Sequence, residues 1–492
     1  MSVPELRLAQ RHEGAPLSDR AFVLYWMTAA RRLEHSFALD HAVSLAVKLK
    51  KPLVILEPLR VGYRWASDRF HRFVLDGMEE HAAALADTPV HYYPYVERTP
   101  GEGRGLLAQL SKDAAIVVAD EWPCFFLPHA VDAAARVVEA PLVTVDGAGL
   151  LPLRAADRCF SMAMHFRGWL KKNLLPHLQV MPSAAPLTAL TGSRRALPAL
   201  TAAKKRWPEA DLGADLASLP IDHQVGVTNT RGGRSEARAR LDRFLAKGVA
   251  RYDELRNDPD VEGSSALSAH LHFGHLGTHE IAAALWGKAG PERLFKPTEE
   301  RWNLSRGASE YFDQLLVWRE LGLNFCHHRQ DYDQYRSLPD WAQETLKKHR
   351  RDPRPHRYSL EALESASTGD RIWNAAQRQL VEEGIIHNHL RMLWGKKVLE
   401  WSAEPEAAVE ILVHLNNKYA LDGRDPNSYS GIFWCFGRYD RPWPERPIFG
   451  MVRSMSSERA AKKVQLEQYL RRFSGGAGQG DLFAPPTGRS RR

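Results

Sequence analysis

The sequence predicts an α/β domain, built on a doubly wound, Rossmann-like parallel sheet, that a linker joins to an all-helical domain. Short apolar, β-branched segments alternate with helical stretches in the first third of the chain. From about residue 235 onward, amphipathic helical stretches predominate and β-branched runs are few. At 492 residues the chain exceeds one ordinary domain, and two or three are expected.

Five buried strands are expected in the N-terminal part, because short apolar segments rich in β-branched and aromatic residues recur there. They are residues 21–26, 52–57, 90–95, 115–119 and 141–145. The intervening residues 36–50 and 68–86 carry apolar side chains at helical spacing, as the crossover helices of a parallel sheet do. No Gly-rich dinucleotide fingerprint follows the first strand.

These patterns divide the chain into parts with different compositions. Residues 1–180 are the predicted α/β domain, and residues 181–225, rich in Ala, Pro, Ser and Thr, are the predicted linker. Residues 226–473 are the predicted helical domain, and the Gly-rich segment 474–492 is expected to be a disordered tail.

Composition narrows the class of protein. A net charge of +8 is compatible with binding to nucleic acid without proving it. No apolar run approaches the ~20 residues that cross a bilayer, and the N-terminus lacks a secretory signal. The four cysteines are scattered without a CxxC motif, so we expect a reducing, cytoplasmic environment.

A tryptophan-rich segment, "WNAAQRQLVEEGIIHNHLRMLWGKKVLEW", spans residues 373–401. Its three indoles, Trp373, Trp394 and Trp401, could pack in the core, stack on bases or pass electrons. Trp394 and Trp401 lie on one face of a helix, since seven residues make about two turns. On spacing alone, core packing is the favoured interpretation.

Residues 264–280, "SSALSAHLHFGHLGTHE", place serines ahead of a His-rich helical segment. Ser264, Ser265 and Ser268 could cradle a phosphate, although serine is also common in helix caps, and spacing alone favours the cap. The histidines lack the HExxH pattern and a cysteine partner, so no metal site is predicted.

Two further segments carry aromatic side chains. Residues 311–325 form an amphipathic helix with Trp318, which by itself indicates a core helix with a surface ion pair between Arg319 and Glu320. Residues 415–450 combine a non-periodic Asn/Asp/Gly stretch with alternating aromatics and arginines. Such a loop suits stacking on a base and contact with phosphates.

Taken together, these segments resemble the photolyase/cryptochrome family, and specifically class II cyclobutane pyrimidine dimer photolyases. The resemblance covers nearly the whole chain and is strongest in residues 373–401, in "LNNKYALDGRDPNSYSGI" and in "DRPWPERPIFG". It implies light-dependent repair of cyclobutane pyrimidine dimers in UV-damaged double-stranded DNA, with FAD in the helical domain. It also implies a monomeric, cytoplasmic protein of bacterial type that associates with the nucleoid when it binds DNA.

The resemblance also implies roles for individual residues. For the cofactor they are Tyr252, Ser264, Ser265, Ala266, Leu267, Ser268, Arg391, Asn416 and Asp422, with Asn416 near flavin N5 and Arg391 paired to Asp422. For the dimer they are Trp318, Met392, Trp434 and Arg441, with Gln314 placed to hydrogen-bond the dimer. For electron transfer, Trp394 is the indole nearest the flavin, Trp373 relays to the surface, and Trp401 and Tyr358 form a side branch.

The chain departs from the family pattern at the dimer site, because Gln314 stands where the family has a glutamate. An amide still donates a hydrogen bond but cannot act as an acid, so we expect repair with reduced efficiency. The N-terminal domain is expected to hold an antenna chromophore, 8-hydroxydeazaflavin in preference to a folate, or to be empty. A cryptochrome-like blue-light sensor is the alternative function, and a non-catalytic binder of single strands is a third.

Overall fold

The computed structural model describes residues 3–295 and 302–474. Its six-stranded sheet, followed by a long helical region, confirms the predicted fold class. Of the predicted tail, all but Ser474 lies outside the described residues. Within the described ranges, no helix is long and apolar enough to cross a membrane.

The sheet has the strand order β1-β6-β5-β2-β3-β4. Its strands are β1 (Leu8–His12), β2 (Phe22–Trp26), β3 (Leu53–Leu59), β4 (His91–Val96), β5 (Ala114–Glu121) and β6 (Leu142–Asp146). All neighbouring pairs are parallel except β1 with β6. The five predicted strands are therefore confirmed, and β1 is an additional antiparallel edge strand whose polar sequence gave no signal of burial.

The helices follow the expected division of the chain, with crossover helices on the sheet and a helical assembly after it. The helices before residue 234 are α1 (Phe37–Leu49), α2 (Asp68–Leu85), α3 (Leu106–Ser111), α4 (Leu127–Ala135), α5 (Ala163–Asn173), α6 (Leu175–Leu178) and α7 (Pro198–Arg206). The next are α8 (Arg234–Arg243), α9 (Tyr252–Leu255), α10 (Ser268–His272), α11 (Thr278–Trp286), α12 (Arg306–Asp313), α13 (Arg319–His328) and α14 (Asp340–Lys348). The last are α15 (Leu360–Glu364), α16 (Arg371–Glu383), α17 (Asn388–Trp401), α18 (Pro405–Tyr419), α19 (Pro426–Trp434), α20 (Ser457–Lys463) and α21 (Glu467–Arg472).

The segment predicted as a linker contains ordered structure. Helix α7 lies within it, and Leu200 and Ala203 on this helix pack into the hydrophobic core on one face of the sheet. Trp207, which ends the helix, donates its indole N–H to the main-chain oxygen of Glu102 at 2.9 Å. The domain boundaries themselves stay predictions.

The sheet region and the helical region meet through buried polar contacts. Arg69 on α2 donates to the main-chain oxygens of Leu380 and Tyr419 at 3.2 and 2.6 Å, at the ends of α16 and α18. From the other side, Glu320 on α13 accepts the backbone N–H of Leu150, which follows β6, at 2.6 Å. These contacts join the two regions and hold the helices that carry the candidate site.

The expectation of a surface ion pair between Arg319 and Glu320 is wrong, because both side chains are buried where the regions meet. Arg319 pairs instead with Asp425 at 3.3 Å. Burial raises the pKa of Glu320 to about 8, and the hydrogen bond from Leu150 only partly opposes this shift.

Candidate active site

Four aromatic rings on α16, on α17 and in the loop before α15 form a continuous row, here called the aromatic chain. The rings of Trp394 and Trp373 are stacked with centroids 6.4 Å apart and planes 8° from parallel. Trp373 also meets Trp401 edge-on at 5.5 Å, and Trp401 meets Tyr358 edge-on at 5.0 Å. Contacts of this kind allow an electron to pass from ring to ring.

The order of the rings differs from the expected one. The three indoles are all buried, with Trp373 fully so, and only Tyr358 is partly exposed. Trp401 and Tyr358 therefore lie in line after Trp373 rather than on a side branch. The route from Trp394 to solvent along these contacts ends at Tyr358.

The two inner indoles are held by hydrogen bonds. Trp394 donates its Nε1–H to Oε1 of Gln377 at 2.9 Å, and Trp373 donates its Nε1–H to the main-chain oxygen of Trp394 at 3.0 Å. Asp370, the N-cap of α16, accepts the backbone N–H of Trp373 at 3.1 Å and so fixes the start of this helix. Each ring thus has a defined position, as a defined pathway requires.

A polar cluster lies at the end of α18 and the start of α19. Arg391 and Asp422, predicted as a pair, are in contact at 3.0 Å, and both side chains are largely buried. Asn416 is buried and donates its amide to the hydroxyl of Ser428 at 2.5 Å. The cluster therefore presents a charged pair and a fixed amide, groups that can hydrogen-bond a polar heterocycle.

The predicted phosphate segment is a loop that leads into α10. Ser264, Ala266 and Ser268 are exposed, whereas Leu267 is buried and anchors the loop. Ala266 adopts a left-handed conformation with φ of 51°, which turns the chain sharply. The loop thus leaves Ser264 and Ser268 accessible to a ligand.

Aromatic packing fixes the back of this loop. Tyr252 packs edge-on against Tyr311 with ring centroids 5.2 Å apart. Burial raises the pKa of Tyr311, and the neighbouring side chain of Ser265 acts in the opposite direction. Tyr252 and the serine loop are therefore neighbours in space as well as in the predicted cofactor set.

Gln314 and Trp318 lie at the two ends of one π-helical turn between α12 and α13, and both are partly exposed. Such turns cost helical stability and are frequent at functional sites. The next residue, Arg319, is anchored by Asp425, which His272 also contacts at 3.3 Å. Burial opposes ionisation of this carboxyl, yet Arg319 and His272 hold the pKa of Asp425 well below its usual range.

Met392 and Trp434, predicted to contact the dimer, are both partly exposed and lie where α17 packs against the end of α19. The close approach depends on Gly395, since a Cβ there would come within 2.5 Å of the Cys435 sulfur. The ammonium of Lys396 lies 5.1 Å from the centroid of the Trp434 ring. The Trp434 ring is thus packed against a buried cation on the inside of the protein.

Lys396 itself was not predicted as a site residue. It is fully buried, and its Nζ donates to the main-chain oxygen of Cys435 at 2.6 Å. Burial lowers the pKa of Lys396 to about 8, with Arg453 acting in the same direction and Cys435 and Asp440 opposing it. No signal in the sequence marked it, because Lys397 and Glu400 lie on the same helix and are typical of an exposed face.

Arg441, the remaining predicted substrate contact, lies on the exposed loop after α19. Its guanidinium lies 5.5 Å from the centroid of the Trp443 ring, and that of Arg453 lies 4.9 Å from the same ring. Trp443 in turn donates its indole N–H to Asp440 at 3.1 Å. This arginine and tryptophan cluster gives the rim of the site positive charge and an aromatic surface.

A sheet region joined to a helical region, with a buried aromatic chain and a polar cluster in the latter, defines the class of photolyase-fold proteins. A bacterial class III photolyase from Agrobacterium tumefaciens has this fold, with a TM-score of 0.66 at 18% identity over 92% of this chain and 86% of that one. No family model matches the sequence.

Relatives of similar length identify the family more specifically than the shared fold does. A deoxyribodipyrimidine photo-lyase from Methanothermobacter thermautotrophicus is 33% identical over 456 residues, which cover 92% of this chain and 95% of the relative. An enzyme of the same name from Potorous tridactylus is 32% identical, and the match covers 93% of this chain and 82% of the relative. One from Oryza sativa is 33% identical, and the match covers 93% of this chain and 88% of the relative. The chain belongs to the deoxyribodipyrimidine photolyase family. Its assignment to class II stays a prediction.

Proposed function

We propose that this protein repairs cyclobutane pyrimidine dimers in double-stranded DNA in a light-dependent reaction, as a monomer that uses FAD. The observation that carries the proposal is the aromatic chain beside the polar cluster of Arg391, Asp422 and Asn416, in a chain that belongs to the photolyase family. When bound, fully reduced FAD supplies a photoexcited one-electron donor.

The residues present suit FAD. The exposed hydroxyls of Ser264 and Ser268 can donate to phosphate oxygens, and Tyr252 packs behind their loop. The Arg391–Asp422 pair offers both donors and acceptors to the edge of an isoalloxazine ring. Asn416, whose buried amide is oriented by Ser428, can donate or accept as the redox state changes.

The dimer would meet Trp318, Met392 and Trp434. A base must leave the duplex to reach a buried cofactor, at a cost of a few kcal/mol that is lower for a lesion that already pairs poorly. Packing of the dimer on the two indoles offsets part of this cost. Gln314, one helical turn before Trp318, donates a hydrogen bond to the dimer but cannot transfer a proton to it. Arg441 contributes a phosphate contact at the rim.

An antenna chromophore does not fit the crevice at the carboxyl ends of the parallel strands, where such sheets bind ligands. Asp120 at the end of β5 accepts hydrogen bonds from Tyr25 on β2 at 2.8 Å and from the backbone N–H groups of residues 28–30 at 2.8–3.0 Å. Arg32 is buried beside it, and a cavity of about 10 Å³ remains. That volume holds about one water molecule, so neither a deazaflavin nor a folate is assigned.

The sensor alternative is not favoured, because the relatives that span the whole chain are named as photo-lyases. The test is to irradiate the purified protein with an oligonucleotide that contains one thymine dimer. We expect intact thymines to be recovered under blue light and not in darkness; dimer that persists in the light contradicts the proposal.

Matched variants sharpen this test. Trp434→Ala is expected to weaken binding of the dimer-containing oligonucleotide. Trp207→Ala removes an indole from the hydrophobic core on one face of the sheet, away from the predicted dimer contacts, and is expected to leave this binding unchanged. Equal loss in both variants would mean that Trp434 acts through general stability.

A further inference from the structure

The inner indoles of the aromatic chain donate their N–H groups only to neutral amide oxygens. Trp394 donates to the side-chain oxygen of Gln377 at 2.9 Å, and Trp373 donates to the main-chain oxygen of Trp394 at 3.0 Å. Both rings and Gln377 are almost completely shielded from solvent. A primary or secondary amide accepts a hydrogen bond but does not accept a proton near neutral pH.

Gln377 is held in the orientation that points its oxygen at the indole. It lies one helical turn after Trp373 on α16, and its Nε2 donates to the main-chain oxygen of Glu364 at 3.4 Å. The contact with Glu364 requires the nitrogen of the Gln377 amide to face Glu364 and away from Trp394, since the amide oxygen cannot donate. The acceptor facing Trp394 is therefore the oxygen.

The carboxylates nearest this part of the chain are occupied by other donors. Asp370 accepts the backbone N–H groups at the start of α16 and the hydroxyl of Ser457. The carboxylate of Glu364 accepts from Lys418 at 2.7 Å and Tyr419 at 2.9 Å. For Trp394 and Trp373, the described contacts thus provide hydrogen-bond acceptors but no base.

Removal of one electron from an indole makes its N–H strongly acidic, because the ring loses electron density. A basic acceptor would then take the proton and leave a neutral radical, and the next electron transfer would require the proton to return. An amide acceptor leaves the proton in place. We infer that Gln377 is a positioning residue that keeps Trp394 protonated while oxidised, so that the inner part of the aromatic chain carries electrons without protons.

The electrons balance in this scheme. With FAD bound, Trp394 would be the electron donor to the flavin under light, Trp373 would re-reduce Trp394, and the deficit would move outward through Trp401 to Tyr358. Tyr358 is partly exposed, so its phenolic proton would pass to solvent when the ring is oxidised. An external thiol would supply the electron and the proton that restore this ring. This inference rests on the proposed role of the aromatic chain in reducing the cofactor, and it does not involve the repair step.

Transient absorption of the flavin-loaded enzyme tests the inference. The Trp373→Phe background confines the radical to Trp394, where we expect the spectrum of an indole radical cation with the same lifetime in H₂O and D₂O. Adding Gln377→Glu supplies a base once the pH is raised far enough to ionise the buried carboxyl, and we expect a neutral-radical spectrum with a longer lifetime there. Gln377→Leu removes the acceptor without adding a base, and the radical cation should persist.

A neutral radical in the Trp373→Phe protein, or a radical cation in the Gln377→Glu protein at the raised pH, overturns the inference. If Gln377→Glu does not fold, the first of these measurements still decides it. The hydrogen bond is checked independently in the dark by the ¹⁵N-indole resonance of Trp394, assigned by its loss in Trp394→Phe. Gln377→Leu should move that resonance, and an unmoved resonance contradicts the structure on which the inference depends.

The Trp394→Phe protein separates two kinds of failure. If it is photoreduced as fast as the wild type, the proposed role of the aromatic chain is wrong and the inference falls with it. If Trp394→Phe loses photoreduction but the Trp394 radical seen in the Trp373→Phe protein is neutral, only the role assigned to Gln377 is wrong. Repair by chemically reduced enzyme tests the proposed function separately from both.

Discussion

The substitution Lys396→Met removes a buried charge while retaining a long, apolar side chain. Lowering the pKa of Lys396 from 10.5 to about 8 corresponds to roughly 3 kcal/mol by which the fold disfavours the charged amine. Methionine avoids this cost but leaves the main-chain oxygen of Cys435 without its 2.6 Å donor, a loss of about 1–2 kcal/mol. The variant should therefore be more stable than the wild type by about 1–2 kcal/mol at pH 7.

The sign of the difference should change with pH. Between a folded pKa of about 8 and the unfolded value of 10.5, the unfolded chain binds more protons at Lys396 than the folded one. Wild-type stability relative to Lys396→Met therefore rises with pH across this window by about 1.4 kcal/mol per pH unit, and the order of the two proteins reverses near its middle. Below pH 8 the lysine is charged in both states and the difference is constant.

Urea unfolding, followed by circular dichroism at pH 7 and pH 10, measures the effect. Lys397→Met is the matched control, because that neighbouring lysine is paired with Glu400 at 3.0 Å and lacks the isolated burial of Lys396. It should bring no gain in stability at either pH. A Lys396→Met protein that is less stable at pH 7, or a difference that does not change with pH, would refute the reasoning.

Four other outcomes are expected. Trp394→Phe should abolish photoreduction but leave repair by pre-reduced enzyme largely intact, as followed by flavin absorbance and thymine recovery. Gln314→Glu should raise the quantum yield of repair, because it restores a group able to act as an acid; an unchanged or lower yield contradicts this explanation. Asp422→Asn should leave Arg391 without its carboxylate and weaken FAD binding about tenfold, or roughly 1.4 kcal/mol, in a fluorescence titration of the apoprotein, whereas unaltered affinity would exclude the pair from the cofactor site. Binding to dimer-containing duplex should weaken as salt rises, since a protein of charge +8 displaces counterions from phosphates; affinity independent of salt would exclude this contribution.

The parallel strands could be predicted because burial on both faces produces continuous apolar runs. Strand β1 could not, since an edge strand buries little and Leu8–His12 is half polar. Helical spacing placed Trp394 and Trp401 on one face of α17, but it could not show that Trp373 from α16 inserts between them. Which ring of one helix meets which ring of another is decided by tertiary packing.

The site residues likewise divide into those that sequence motifs predict and those that tertiary packing decides. Family motifs in the sequence led to Arg391 and Asp422, which are in contact in the structure. Gln377 and Lys396 were missed, because each has a charged neighbour in its helix, Arg378 or Lys397, and looks like an exposed position until the neighbouring helix is placed. Their roles depend on which backbone or indole group the fold brings within 3 Å.

Arg69 ties the sheet region to the helical region, so the helical region depends on it. Besides its bonds to Leu380 and Tyr419, it donates to the main-chain oxygens of Val381 at 2.5 Å and Gly226 at 3.1 Å. Carbonyls at the ends of helices need such donors or water. Removal of the N-terminal region would uncap α16 and α18, the helices that carry Trp373 and Asn416. That region therefore acts as a scaffold for the helical region, whether or not it also holds a chromophore.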